Sequence, residues 1–203
     1  MKVKICDLKT LEDIDYINEA LPDFAGFIFA ESSRRVSFKL AAKMKSKLNK
    51  NIKSIGVFVN EKTENIINAA EEGIIDLIQL HGNEDNNYIK EIGNKLKLPV
   101  IKAFKADSNL KYNIENTIAD YVLIDSCNKN QLGGTGQLFD WGLIPETDKK
   151  IFLAGGLNAD NIIRAIKEVN PYCLDINSGV EINGKKDRKK ILEVMQIVKG
   201  YRK

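Results

Sequence analysis

A single histidine, His81, occurs in 203 residues, and the three cysteines, Cys6, Cys127 and Cys173, have no C-x-x-C spacing. A structural zinc site takes about four thiolate or imidazole ligands, so no metal is expected. An odd number of scattered cysteines also argues against a disulfide framework and leaves any role for Cys6 to its thiol. Nor is charge of one sign in excess. The 31 Lys and Arg against 28 Asp and Glu give a formal net charge of +3, with the basic residues spread along the chain. No nucleic-acid partner is expected from that distribution. The one basic cluster, Lys185 to Lys190 (KKDRKK), reads as the start of a solvated helix. No apolar run approaches the ~20 residues of a membrane span. The N-terminus looks like a strand rather than a charged segment followed by an apolar stretch, so the expected location is cytoplasmic, with no membrane partner. Repeats, low-complexity segments and linkers are also missing, which makes residues 1–203 a single domain able to bury its own core.

What the chain does contain, at 43% apolar and 29% charged, is a regular alternation. Short β-branched or aromatic runs recur at Val3 to Cys6, Ala25 to Ala30, Ser54 to Val59, Leu77 to His81, Val100 to Phe104, Tyr121 to Asp125, Ile151 to Ala154 and Cys173 to Asn177. Segments of helical period separate or follow them: Leu11 to Leu21, Phe38 to Leu48, Glu64 to Glu72, Asp85 to Leu96, Asn109 to Ala119, Asp140 to Ile144, Ala159 to Val169 and Asp187 to Val198. Eight β-α units predict an α/β chain with parallel strands, each helix supplying a crossover. An open doubly wound sheet competes with a closed (β/α)8 TIM barrel. The strand faces favour closure. Lys4 and Cys6, Gln79 and His81, Asp125, and Asp175 and Asn177 place polar groups at alternate strand positions. A barrel interior near its C-terminal rim accommodates them, whereas a strand covered by helices on both faces is apolar throughout.

Closure has a consequence for MKVKICDL at the N-terminus. Val3 and Ile5 share one strand face and Lys4 and Cys6 the other. With the first and eighth strands adjacent, Lys4 is expected inside the barrel beside Asp175, because a buried ammonium needs such a partner.

Barrel active sites lie at the C-terminal ends of the strands and in the loops beyond them. Cys6, His81, Asp125 and Asn177 close strands there, and the loops add Arg34 and Arg35, the GGTG of Gly133 to Gly136, the AGGLN containing Gly155 and Gly156, and the NSGVE of Asn177 to Glu181. Glycine loops after the last two strands point to a phosphate held by backbone N–H groups. GGTG reads equally as a flap, a third phosphate contact or a surface turn. Cys6 is either a small core residue, as expected for Cys127 and Cys173, or a thiol base at the mouth. Asp125 either caps the next helix or forms an acid/base pair with Cys6. The neutral readings of His81 are substrate contact and rim hydrogen bonding, and a guanidinium at position 34 or 35 suits a carboxylate or phosphate.

In order along the chain, KIC, GFIFA with SSRRVS, GVFVN, IQLHG, VIKAF, LIDS, GGTGQLFDW, LAGGLN and DINSGVE together resemble the phosphoribosylanthranilate isomerase family. The match runs from near the first residue to Glu181, and GGTG-x-x-FDW with QLHG and SGVE is a specific combination. The resemblance implies an Amadori rearrangement of N-(5-phosphoribosyl)anthranilate, a step of tryptophan biosynthesis, without metal or organic cofactor, by a monomer or homodimer. It makes Cys6 the general base and Asp125 the general acid. Arg34, Gln79, His81, Gly134, Gly136 and Asp175 then surround the substrate, and Gly155, Gly156, Ser178 and Gly179 take its phosphate. Such a pair needs a raised carboxyl pKa and a lowered thiol pKa. The chain departs from the family pattern in three places: Asp7 stands where KICG has glycine, Ser33 replaces a common proline, and NSGVE replaces SSGVE. A carboxylate at position 7 is expected to raise the Cys6 pKa. Two other readings remain beside this one: a different sugar-phosphate isomerase of barrel fold, and a phosphosugar-binding module without catalysis.

Overall fold

The computed structural model describes residues 1–125 and 141–201. Strands β1 (Lys2–Ile5), β2 (Phe24–Ile28), β3 (Lys53–Phe58), β4 (Leu77–Leu80), β5 (Val100–Lys105), β6 (Tyr121–Asp125), β7 (Lys150–Ala154) and β8 (Cys173–Ile176) form a closed barrel in sequence order. All neighbouring pairs are parallel, and β8 returns to β1 with Lys4 opposite Asp175. That closing pair rules out the open doubly wound sheet. Helices α1 (Leu11–Ala20), α2 (Phe38–Lys47), α3 (Thr63–Glu71), α4 (Asn86–Lys95), α5 (Leu110–Asn116), α6 (Ile162–Val169) and α7 (Arg188–Tyr201) follow β1 to β5, β7 and β8. After β6 the described residues contain a short 3-10 turn, Trp141–Leu143, where a helix from Asp140 to Ile144 was expected; Asp140 itself lies outside them.

Local chemistry sets the helix ends. Thr10 opens α1 with a reciprocal capping box: its hydroxyl accepts from the Asp13 amide at 3.1 Å and the Asp13 carboxylate accepts from the Thr10 amide at 2.9 Å. Ser37 and Asp85 cap α2 and α4 in the same sense, each accepting one backbone N–H. α6 starts later than its pattern suggests. The Asn158 side chain accepts from the amides of Asp160 and Asn161, a local turn that competes with helix over those residues.

Two apolar layers result. Phe24, Ile55, Leu77, Ile101, Ala103, Leu123, Phe152, Ala154 and Cys173 form a cluster inside the barrel, while Val3, Ile5, Phe27, Ile78, Leu174 and Ile176 pack outward against buried helix residues such as Ile14, Ile17, Ile191 and Val194. Cys173 is thus the core residue it was expected to be; Cys127 lies outside the described residues.

The basic cluster near the C-terminus behaves differently from expectation. Lys185–Lys186 form β10, which pairs with β9 (Glu181–Ile182) across Asn183 and Gly184, both at positive φ, and α7 begins only at Arg188. Lys186 is buried rather than solvated. Its ammonium donates to Glu181 Oε1 at 2.6 Å, Asn177 Oδ1 at 3.0 Å and the Asn177 carbonyl at 3.1 Å.

Candidate active site

The site begins with β1. Lys4 is fully buried, and its Nζ donates to Asp175 Oδ2 at 2.8 Å and Gln79 Oε1 at 2.6 Å. The expected cross-seam pair is therefore present, joined by a group from the far side of the barrel. Burial alone would depress this ammonium, but the charges of Asp175 and Cys6 outweigh it and raise its pKa above the ordinary lysine value. Asp175 keeps its second oxygen, Oδ1, buried without a hydrogen-bond partner among the described residues.

An ammonium can only donate, so it fixes the Gln79 amide with oxygen toward Lys4 and nitrogen toward His81. Gln79 Nε2 lies 3.0 Å from His81 Nδ1, which makes Nδ1 the acceptor and puts the proton of the neutral imidazole on Nε2. That atom stands 3.7 Å from Asp125 Oδ2 at the end of β6. A line of polar groups, Asp175, Lys4, Gln79, His81 and Asp125, thus crosses the barrel mouth.

Cys6 sits at the Lys4 end of this line, 6% exposed, one residue beyond β1. Its thiol pKa is raised, and burial is the main cause. Lys4 and Lys186 pull it down and Asp175 pushes it up. The shift is opposite to the lowered value that a resting thiolate base requires. Asp7, the carboxylate expected to raise the thiol, is not among the main contributors; burial dominates and the carboxylate that adds to it is Asp175. Gly26 on β2 makes room for the thiol: a Cβ there would stand 2.7 Å from Cys6 Sγ and 3.0 Å from Lys4 Cε.

Asp7 adopts φ 65°, the left-handed conformation that glycine takes most easily. Its side chain is 1% exposed, with Arg34 Nε at 3.4 Å and Lys9 Nζ at 3.7 Å from Oδ2. Arg35, by contrast, turns away to pair with Glu31. The loop bearing Ser33 is closed by Ser32, whose hydroxyl accepts from the Arg34 amide at 3.2 Å.

On the other side, Gly155 and Gly156 follow β7 at φ 101° and 68°, and Ser178 and Gly179 lie in a 3-10 turn after β8. The two loops are in contact: a Cβ on Gly179 would fall 1.9 Å from the Leu157 carbonyl oxygen. Gly134 and Gly136 lie outside the described residues. A cavity of about 1170 Å³ opens beside His81 and Asp125 and runs out between α4 and α5; neither Cys6 nor the glycine loops line it.

Sequence reasoning overlooked three supports of this site. Gly26 is the steric gap under the thiol, and it was visible only as the glycine of GFIFA. Lys186 lies behind the Asn-Gly turn at 183–184, a hairpin signal directly before what looked like a charge run. Glu84 accepts from Lys102 Nζ and from the amides of Asn60 and Gly82, tying the loops after β3 and β4 to β5.

The family model described as N-(5'-phosphoribosyl)anthranilate (PRA) isomerase matches residues 3–197. The chain belongs to the phosphoribosylanthranilate isomerase family. Among curated N-(5'-phosphoribosyl)anthranilate isomerases, that of Endomicrobium trichonymphae is 47% identical over 98% of both chains. That of Thermoanaerobacter sp. (strain X514) is 42% identical over 100% of both. The phosphoribosylanthranilate isomerase structure from Thermotoga maritima superposes with a TM-score of 0.88 at 33% identity, covering 98% of this chain and 99% of its own. Another solved phosphoribosylanthranilate isomerase, at TM-score 0.85, 32% identity and the same coverage, is complexed with reduced 1-(o-carboxyphenylamino)-1-deoxyribulose 5-phosphate.

Proposed function

We propose that this chain carries out its family's isomerase reaction with Cys6 as general base and Asp125 as general acid. The reaction is the Amadori rearrangement of N-(5-phosphoribosyl)anthranilate in tryptophan biosynthesis. The carrying observation is the polar line across the mouth, which fixes Cys6 against its Lys4 end and Asp125 at the other.

The steps balance without a co-reactant. The Asp125 carboxyl gives its proton to the furanose ring oxygen, the C1–O bond breaks, and the anthranilate nitrogen lone pair closes a protonated Schiff base. Cys6 then takes the proton from C2, and the released pair forms the C1–C2 double bond while the nitrogen recovers its lone pair. Proton transfer from the C2 hydroxyl and onto C1 gives the 1-deoxyribulose 5-phosphate. Burial raises the Cys6 thiol, and the Lys4 and Lys186 ammoniums offset that in part.

Binding uses the surrounding groups. The Arg34 guanidinium meets the anthranilate carboxylate, the free Asp175 Oδ1 takes a sugar hydroxyl, and Gln79 and His81 line the wall between. Gly155, Gly156, Ser178 and Gly179 offer backbone N–H groups to the phosphate. Gly134 and Gly136, outside the described residues, are assigned to substrate binding by the family resemblance alone. Residues 1–203 act as one catalytic domain, a cytoplasmic monomer or homodimer; a Thermotoga maritima relative is described as dimeric.

Turnover of freshly generated phosphoribosylanthranilate, followed through the anthranilate chromophore, tests the proposal. Wild type should convert it, and Cys6→Ser and Asp125→Asn should each lose on the order of 10²–10⁴ in rate while binding the reduced product analogue within a few-fold of wild type. Full activity in either variant would reject the assigned pair. Binding without turnover by wild type would make the chain a phosphosugar-binding module.

A further inference from the structure

We infer that Asp7 is a positioning residue for Arg34: it holds the guanidinium in place for the substrate carboxylate. The inference rests on the reading of Arg34 as the carboxylate anchor and goes beyond it. Two independent observations carry it.

The first is the backbone. Position 7 is left-handed at φ 65°, and the family pattern places glycine there. An aspartate at such a position is strained relative to glycine, and strain of this kind persists where the surrounding structure or function holds it. The second is the side chain. Both carboxylate oxygens are buried, and neither has a hydrogen-bond partner among the described residues. A buried carboxylate without hydrogen bonds is unfavourable unless cations compensate it. Those facing Asp7 are Arg34 from the loop after β2, Lys9 from the loop after β1 and Lys186 from β10, with Glu181 of β9 opposing them.

Of the three cations, Arg34 is the one that needs a tether. Its side chain is 44% exposed on an irregular loop, and among the described residues its amide donates to the Ser32 hydroxyl alone. The contact to Asp7 is made through Nε. That leaves the two terminal nitrogens, the edge that fits a planar carboxylate with two parallel hydrogen bonds. Asp7 therefore stands beside Nε as a charge contact without a hydrogen bond, and the recognition edge is the pair of terminal nitrogens. A long side chain held before binding has less conformational freedom to lose on binding.

Charge alone predicts the opposite sign, because removing a negative group from the mouth should tighten the binding of an anion. The test uses calorimetric binding of reduced 1-(o-carboxyphenylamino)-1-deoxyribulose 5-phosphate and of its phenylamino counterpart without the carboxylate. The proteins are wild type, Asp7→Gly, Asp7→Asn, Arg34→Ala and the Asp7→Gly/Arg34→Ala double variant. Glycine suits the backbone at position 7, and asparagine keeps the shape while also tolerating the left-handed region. The expected result is a loss of about 3- to 10-fold for the carboxylated ligand in both Asp7 variants. Binding of the phenylamino ligand should stay within about twofold, and Asp7→Gly should have no further effect in the Arg34→Ala background. In turnover the loss should appear in KM rather than kcat. Unchanged or tighter binding in the Asp7 variants, equal loss for both ligands, or full additivity with Arg34→Ala would each overturn the inference. Wild-type turnover reports separately on the isomerase reading, since the binding comparison does not depend on it.

Discussion

Replacing Gly26 by alanine adds one methyl group at the point where β2 passes the proposed base. The added Cβ would lie 2.7 Å from Cys6 Sγ, 3.0 Å from Lys4 Cε and 3.1 Å from Cys6 Cα. Non-bonded heavy atoms rest at about 3.5–4.0 Å, so the thiol has to retreat by roughly 1 Å. The contact with Cys6 Cα cannot be relieved by a side-chain rotation and must spread β1 from β2 by a few tenths of an ångström. Gly26 is not at positive φ, so the backbone accepts alanine and the effect is steric. Overpacking of this kind lowers stability by ~1–3 kcal/mol, a fall of roughly 2–12 °C in Tm at this chain length. A base displaced by about 1 Å costs on the order of 10²-fold in the chemical step. Single-turnover measurements on wild type, Gly26→Ala and Cys6→Ser, with binding of the reduced product analogue alongside, read the two effects separately. Affinity should hold within a few-fold, because the Arg34 and glycine loops lie elsewhere on the mouth. A Gly26→Ala protein that turns over within threefold of wild type would refute the argument, since the thiol would then have slack that the geometry denies it.

The Cys6 thiol is raised by burial, so the proton-abstracting form grows only as pH climbs past the ordinary cysteine range of about 8.5. kcat/KM should therefore rise on an alkaline limb. Lys4→Met, which removes the nearest ammonium, should move that limb further up, and a limb unmoved by that change would contradict the assignment. Glu84→Gln should destabilise by about 3 kcal/mol, because it leaves the buried Lys102 ammonium without its counter-charge; thermal unfolding reads this as a fall of roughly 6–12 °C in Tm. The same carboxyl has a folded pKa below its unfolded one: burial would raise it, but Lys102 and two backbone amides outweigh that. Its stabilisation is present above the unfolded value and is lost as pH falls through the folded value, so wild type should lose part of its advantage over Glu84→Gln in acid. Gly179→Ala drives a methyl group to 1.9 Å from the Leu157 carbonyl oxygen. The two glycine loops must part, and affinity for the phosphorylated analogue should fall at least about tenfold; retained affinity would place the phosphate elsewhere.

The polar alternation along the strands made the closed barrel legible, and parity with it placed Lys4 opposite Asp175, where the structure has both. Strand ends were read about a residue long: Cys6, His81 and Asn177 stand just beyond β1, β4 and β8. Other features depend on curvature, which a sequence pattern does not carry. Gln79 reaches Lys4 from β4, three strands away around the barrel, and strand-neighbour reasoning does not predict such a contact. Lys102 and Glu84 meet because Lys102 points outward from β5, opposite in parity to Ile101 and Ala103 of the inner cluster. Lys186 was hidden by its basic neighbours, since a local charge run says nothing about which member folds inward. The left-handed backbone at Asp7 leaves no trace in the sequence unless the usual glycine is known.

Lys4 and Asp175 stand 171 positions apart in the chain, yet they form the seam on which both the barrel and the proposed acid–base pair depend. During synthesis β1 leaves the ribosome long before its second neighbour exists, with an ammonium on the face that will become interior. Until β8 emerges that ammonium has no carboxylate, Gln79 has no fixed donor to orient it, and the edges of β1 and β7 stay open to solvent. Competence for catalysis therefore arrives with the last strand. A nascent chain stalled before residue 175 should bind no phosphorylated ligand, however well its first seven strands have paired.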